Sequence, residues 1–88
     1  MKRTSKKKAM PRKRKEVDTS TFEGRFAVRL RMLRDKAGIS VPELAELTGF
    51  PRTTLFNWES GINEPPLSAY PILAEAFGIK VRTLLPEA

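Results

Sequence analysis

The sequence predicts an all-α fold, five short helices that follow a strongly basic N-terminal segment. Three observations predict it. Apolar residues recur at helical spacing, most clearly Phe22, Phe26, Leu30 and Leu33 at steps of four, four and three. Glycines stand where the periodic runs end, at positions 38, 49, 61 and 78. No stretch alternates apolar and polar residues for long enough to make a strand.

Taken in order, the first helix is predicted to start near the capping oxygens of Asp18, Thr19, Ser20 and Thr21 and to run to about Ala37. Ser40-Val41-Pro42-Glu43 then reads as a capping box. The serine caps, the proline tolerates the first turn, and the glutamate three residues on bonds back. That short helix is expected to turn Leu44, Ala45 and Leu47 inward and to end at Gly49. A third helix begins at Phe50-Pro51, with Pro51 in the first helical position, and reaches Trp58 or Glu59; Leu55 and Trp58 are its core residues. Residues 62–66 form a proline-rich loop. Leu67 to Phe77 makes a fourth helix capped by Ser68, with Pro71 in its first turn and Ile72 to Phe77 as its regular part. The last helix spans Val81 to Leu85 and stops before Pro86.

Composition narrows the function classes. The net charge is +7, yet the first fifteen residues hold nine Lys or Arg and no acid. The rest carries eight basic against ten acidic residues, a balance of −2. The excess is therefore confined to the segment 1–18, expected to be a disordered basic arm attractive to a polyanion, and 19–88 is expected to be the folded domain. There is no cysteine and no histidine, so neither disulfide nor zinc site is expected, and no cofactor motif or metal cluster is present. Met10-Pro11 is followed at once by Arg12-Lys13-Arg14-Lys15, which excludes the apolar core of a secretory signal, and no run of about 18 apolar residues suits a membrane. Ten scattered carboxylates without a histidine or a phosphate-binding loop argue against an enzyme.

Val41 to Gly61 is the informative stretch: two short helices hinged at Gly49, with the small Ala45 four residues before it. A helix pair joined by a tight glycine turn is the general form of a DNA-reading unit, although periodicity alone supports only a helical hairpin. The colinear features are Leu30, Leu33 and Arg34; Gly38-Ile39-Ser40; Glu43-Leu44-Ala45; Gly49, Leu55, Trp58-Glu59 and Gly61; Pro65 or Pro66; and Leu73 to Ile79. With these, residues 22 to 85 resemble the Cro/repressor-type helix-turn-helix family, also called the XRE family. The resemblance implies a compact five-helix, lambda-repressor-like DNA-binding domain.

It also implies roles. The helix from Pro51 to Trp58 matches the recognition helix, whose outward positions are Arg52, Thr53, Phe56 and Asn57. Arg52 suits the O6 and N7 of guanine, Asn57 the N6 and N7 of adenine, and Thr53 or Phe56 a thymine methyl; Phe56 could equally be core. Ser40 and Val41 at the start of the second helix, with Thr54, Ser60 and Asn63 around the third, are candidates for the DNA backbone. Many members carry glutamine where Val41 stands, so only its N–H can serve, and Phe50-Pro51 replaces the usual hydroxyl cap. Both departures give weight to the arm, where Lys6, Lys7, Lys8, Arg12, Lys13, Arg14 and Lys15 are expected on phosphates or in a minor groove. Arg34 and Glu59 match a structural ion pair.

The expected function is a sequence-specific regulator of transcription, a repressor, acting in the cytoplasm on the nucleoid as a homodimer on double-stranded DNA. Its dimer surface is expected within Ile79 to Leu85, where Val81, Leu84 and Leu85 serve equally as core. The alternatives are an antitoxin-like or accessory DNA-binding subunit holding a protein partner such as a toxin, and a non-specific architectural protein driven by the arm.

Overall fold

In the computed structural model, which describes residues 17–86, the chain forms α1 (Phe22–Ala37), α2 (Val41–Thr48), α3 (Arg52–Glu59), α4 (Ala69–Phe77) and α5 (Val81–Leu84). The seven arm residues Lys6 to Lys15 singled out above lie outside the described residues. No strand occurs among the described residues, and none of their helices is long and apolar enough to cross a membrane.

Helix ends follow local chemistry. Of the four candidate caps, Thr21 is the one used: its hydroxyl accepts the Gly24 N–H at 3.0 Å and donates to the Asp18 carbonyl at 3.0 Å. The Asp18 carboxylate in turn accepts the Ser20 hydroxyl at 2.6 Å and the Ser20 N–H at 3.0 Å. The Ser20 hydroxyl bond first, then its N–H bond, hold that carboxyl below its usual range. The capping box of α2 is complete, with Glu43 N–H on the Ser40 hydroxyl at 3.2 Å and Ser40 N–H on the Glu43 carboxylate at 2.7 Å.

Three expectations are corrected. Pro51 is the N-cap of α3 in extended backbone and not its first helical residue. The reason is Phe50, whose ring turns back to meet Trp58 edge-on at 5.1 Å, holding the chain extended until Arg52. Leu47 does not face inward; it is 59% exposed. The inner stripe of α2 runs through Val41, Leu44, Ala45 and Thr48, and Leu47 falls outside it. In α4, Ser68 takes the N-cap position as expected, but with helical backbone and without a side-chain cap bond, and Leu67 lies outside the helix. The preceding turn bonds Ala69 N–H to Pro66 and Tyr70 N–H to Leu67, so the helix is regular from Ala69, with Pro71 in its tolerant first turn.

One core joins all five helices. Phe26, Leu30 and Leu33 of α1 meet Val41 and Leu44 of α2, Leu55 and Trp58 of α3, Tyr70 and Leu73 of α4, and Leu84 of α5. Phe26 packs on Tyr70 with ring centres 5.6 Å apart. Leu84 is fully buried, while Val81 stays exposed on α5 and so does Leu85, the extended residue that ends the helix one position earlier than expected.

A buried carboxylate crosses this core. Glu59, at the last residue of α3, is 3% exposed and takes both arms of the Arg34 guanidinium, at 2.6 Å to Nε and 3.1 Å to Nη2. Arg34 also donates from Nη1 to the Ile39 carbonyl at 3.0 Å, and Arg31 donates to the Glu59 backbone carbonyl at 3.0 Å. The bond to Glu59, against partial burial, raises the guanidinium above its ordinary value, so Arg34 stays charged throughout the range in which proteins fold. Arg34→Met leaves Glu59 buried and unpaired. It is expected to cost about 3 kcal/mol, because Arg34 keeps some solvent contact, and to lower the melting midpoint by about 10–20 °C; differential scanning calorimetry on the variant checks it.

Gly24 has a second fixed role. A Cβ there would lie 1.8 Å from the Asp18 carbonyl oxygen and 3.1 Å from a Val17 methyl, which itself lies against Gly61. Gly24→Ala is therefore expected to push the lead-in off α1 and destabilise the domain by about 1–3 kcal/mol, measured by urea unfolding.

Candidate nucleic-acid interface

The turn between α2 and α3 is built from one side chain and one glycine. The Thr48 hydroxyl donates to the Leu44 carbonyl at 2.8 Å and accepts the Phe50 N–H at 3.3 Å. Gly49 follows at φ 84°, its N–H on the Ala45 carbonyl at 2.8 Å. A residue with a Cβ is strained in that left-handed backbone, so the sharp reversal requires glycine.

The reversal sets the rotation of α3. Leu55, Trp58 and Glu59 lie on its inner side, buried against α1 and α2. The opposite side is thereby turned to solvent, and it carries the four expected base-contact residues. Arg52, Thr53 and Phe56 are exposed and Asn57 is half-buried. Phe56, left open between groove and core by the sequence, is 52% exposed and has no ring partner among the described residues.

The start of α3 is electrostatically open. No side chain caps it and no acid stands in its first turn. Arg52 sits there at the positive end of the helix dipole, a placement that costs a few tenths of a kcal/mol in the free protein and becomes favourable beside an anion or a guanine edge. No hydrogen bond or ion pair holds Arg52 among the described residues. The end of α3 is closed by Gly61, with the Ser60 and Ile62 N–H groups sharing the Asn57 carbonyl at 3.3 and 3.1 Å. This leaves Ser60 and Asn63 exposed beside the helix.

The start of α2 is different. Ser40 is exposed, but its hydroxyl and N–H are both engaged in the capping box. Val41 is only 5% exposed, the first residue of the α2 core stripe, so its side chain is withdrawn from any backbone contact. The Glu43 carboxylate lies at this terminus as well, which opposes a phosphate there. Thr54 is half-buried on the flank of α3. Sequence reasoning missed Thr48 and Arg31. A hydroxyl one residue before the turn glycine was a readable signal for the first; the second bonds a carbonyl 28 residues away and left none. No group of three or more ligating side chains able to hold a metal ion occurs among the described residues.

These features define a helix-turn-helix protein, and the family comparison agrees: the chain belongs to the helix-turn-helix domain family, whose model matches residues 25–88. Its fold is that of a DNA-binding transcription regulator. Among solved structures it is similar to the restriction-modification controller protein C.AhdI from Aeromonas hydrophila, at 36% identity over 69% of this chain and 92% of that one, with a TM-score of 0.66. It is also similar to the hypothetical transcription factor NHTF from Neisseria, at 28% identity over 84% of this chain and 86% of that one, with a TM-score of 0.71. No curated protein matches the chain by sequence.

The turn itself is testable. Thr48→Val keeps the shape and removes both hydroxyl bonds, so a loss of about 1 kcal/mol is expected in chemical denaturation, with faster hydrogen exchange at the Phe50 amide.

Proposed function

We propose that the protein is a sequence-specific regulator of transcription that binds double-stranded DNA with α3 in the major groove. The observation that carries this reading is the two-sidedness of α3. Its inner side is locked by Leu55, Trp58 and Glu59, while its outer side presents Arg52, Thr53, Phe56 and Asn57 to solvent. Arg52 pairs with a guanine edge and Asn57 with an adenine edge, and Thr53 lies between them on the outward side. Ser60 and Asn63, and the open N–H groups at the start of α3, take phosphates and fix the register. Ser40 and the N–H of Val41 contribute little, because the capping box already uses the serine.

The basic segment supplies the long-range attraction that the rest of the chain, with no excess of positive charge, lacks. Val17, where the described chain begins, lies beside Gly61, at the end of α3. In this reading the arm meets phosphates or the adjacent minor groove through Lys6, Lys7, Lys8 and Arg12 to Lys15.

A homodimer on two half-sites and a repressor's action complete the reading, and the likeness to a restriction-modification controller and a transcription factor supports a regulatory role. Selection of the full chain against a random duplex library near physiological salt is expected to return an inverted repeat with guanine and adenine in each half-site. Retention of DNA without any motif would replace this reading with non-specific binding through the arm.

A further inference from the structure

We infer that α3 reads the C5-methyl group of a pyrimidine, so that the protein responds to cytosine methylation at one position of its site. The inference deepens the reading of α3 as the recognition helix and rests on it. Phe56 is a large apolar ring left 52% exposed on an eight-residue helix whose two other apolar residues, Leu55 and Trp58, are buried. Phe50 and Trp58 pack on each other at 5.1 Å on the inner side of the helix, and Phe56 joins no ring pair among the described residues.

Its neighbour on the surface is Arg52. Four residues apart, the two stand about 40° from each other around the helix and about 6 Å apart along it. Base pairs are spaced about 3.4 Å, so an arginine on a guanine places the ring one or two base pairs further along the groove. The only apolar group that the major groove offers an aromatic ring is a pyrimidine C5-methyl. Thymine and 5-methylcytosine present the same methyl at the same position. A ring has neither donor nor acceptor in its plane to tell O4 of thymine from N4 of cytosine, so Phe56 senses the methyl and not the base.

The test uses the full chain and the duplex recovered by selection. Each thymine is replaced singly by uracil, which removes only the methyl, and binding is followed by fluorescence anisotropy. One thymine in each half-site is expected to weaken binding about fourfold when replaced, the worth of one buried methyl-sized group. At that position 5-methylcytosine is expected to bind about fourfold more tightly than cytosine. Phe56→Ala, whose folding is checked by circular dichroism, should abolish both differences and keep the guanine requirement; Phe56→Leu should keep them. Uracil tolerated at every thymine, or a methyl effect that survives Phe56→Ala, overturns the inference while leaving the recognition role of α3 intact. Failure to recover any preferred site overturns both.

Discussion

The Arg34–Glu59 pair is the constraint on which the rest of the structure depends. Its carboxylate sits at the last residue of α3 and is almost wholly buried, so it cannot be left without its partner. Meeting it fixes α1 against α3, and the same guanidinium reaches the Ile39 carbonyl just before the cap of α2. Three segments are thereby tied through one planar group. Arginine alone offers donors in that planar fork geometry; a lysine ammonium is a compact point charge that cannot match the carboxylate in bidentate fashion. The apolar core holds the helices together, but shape-tolerant apolar contacts permit small rotations. A bidentate bond at 2.6 and 3.1 Å does not.

The rotation of α3 is what the proposed function depends on. Turning α3 by one residue's arc would bury Thr53 or Asn57 and expose Leu55. The turn bonds of Thr48 set where α3 starts, and the double hold on Glu59, by Arg34 on its carboxylate and Arg31 on its carbonyl, sets where it ends. Between those two fixed points the outward side chains need no support from one another. Arg52 and Phe56 are held by no partner among the described residues, and both stand in arrangements that a free protein gains nothing from: a cation at a positive helix end and an aromatic ring in water. Each becomes favourable against a groove edge that supplies an acceptor or a methyl.

How much of this was legible depends on the range of the signal. Caps and stops were readable because they are local: Ser40 with Glu43, and the glycines after α1, α2 and α4. The phase of α2 was not, because an eight-residue helix with Val41, Leu44, Ala45 and Leu47 admits two apolar stripes, and the packing of α3 and α4 chooses the one through Val41. Pro51 was misplaced by one residue for a similar reason, the pull of Trp58 on Phe50 across the turn. The ion pair was found through family resemblance; residues 25 positions apart leave no trace in periodicity. Gly24 was silent, since only the fold brings Asp18 and Gly61 to it. The outward residues of α3 followed once Leu55 and Trp58 were placed inside.

The central claim is that base identity is read by the outer side of α3 while affinity comes from contacts that ignore sequence. The most direct measurement compares the full chain with Arg52→Ala across every single base-pair variant of its selected site, at one fixed salt concentration. The account predicts that the variant loses discrimination at one guanine per half-site, by about 1–3 kcal/mol, and keeps its preferences elsewhere and its affinity for unrelated DNA. An equal loss at every position, or unchanged preference for that guanine, would contradict it.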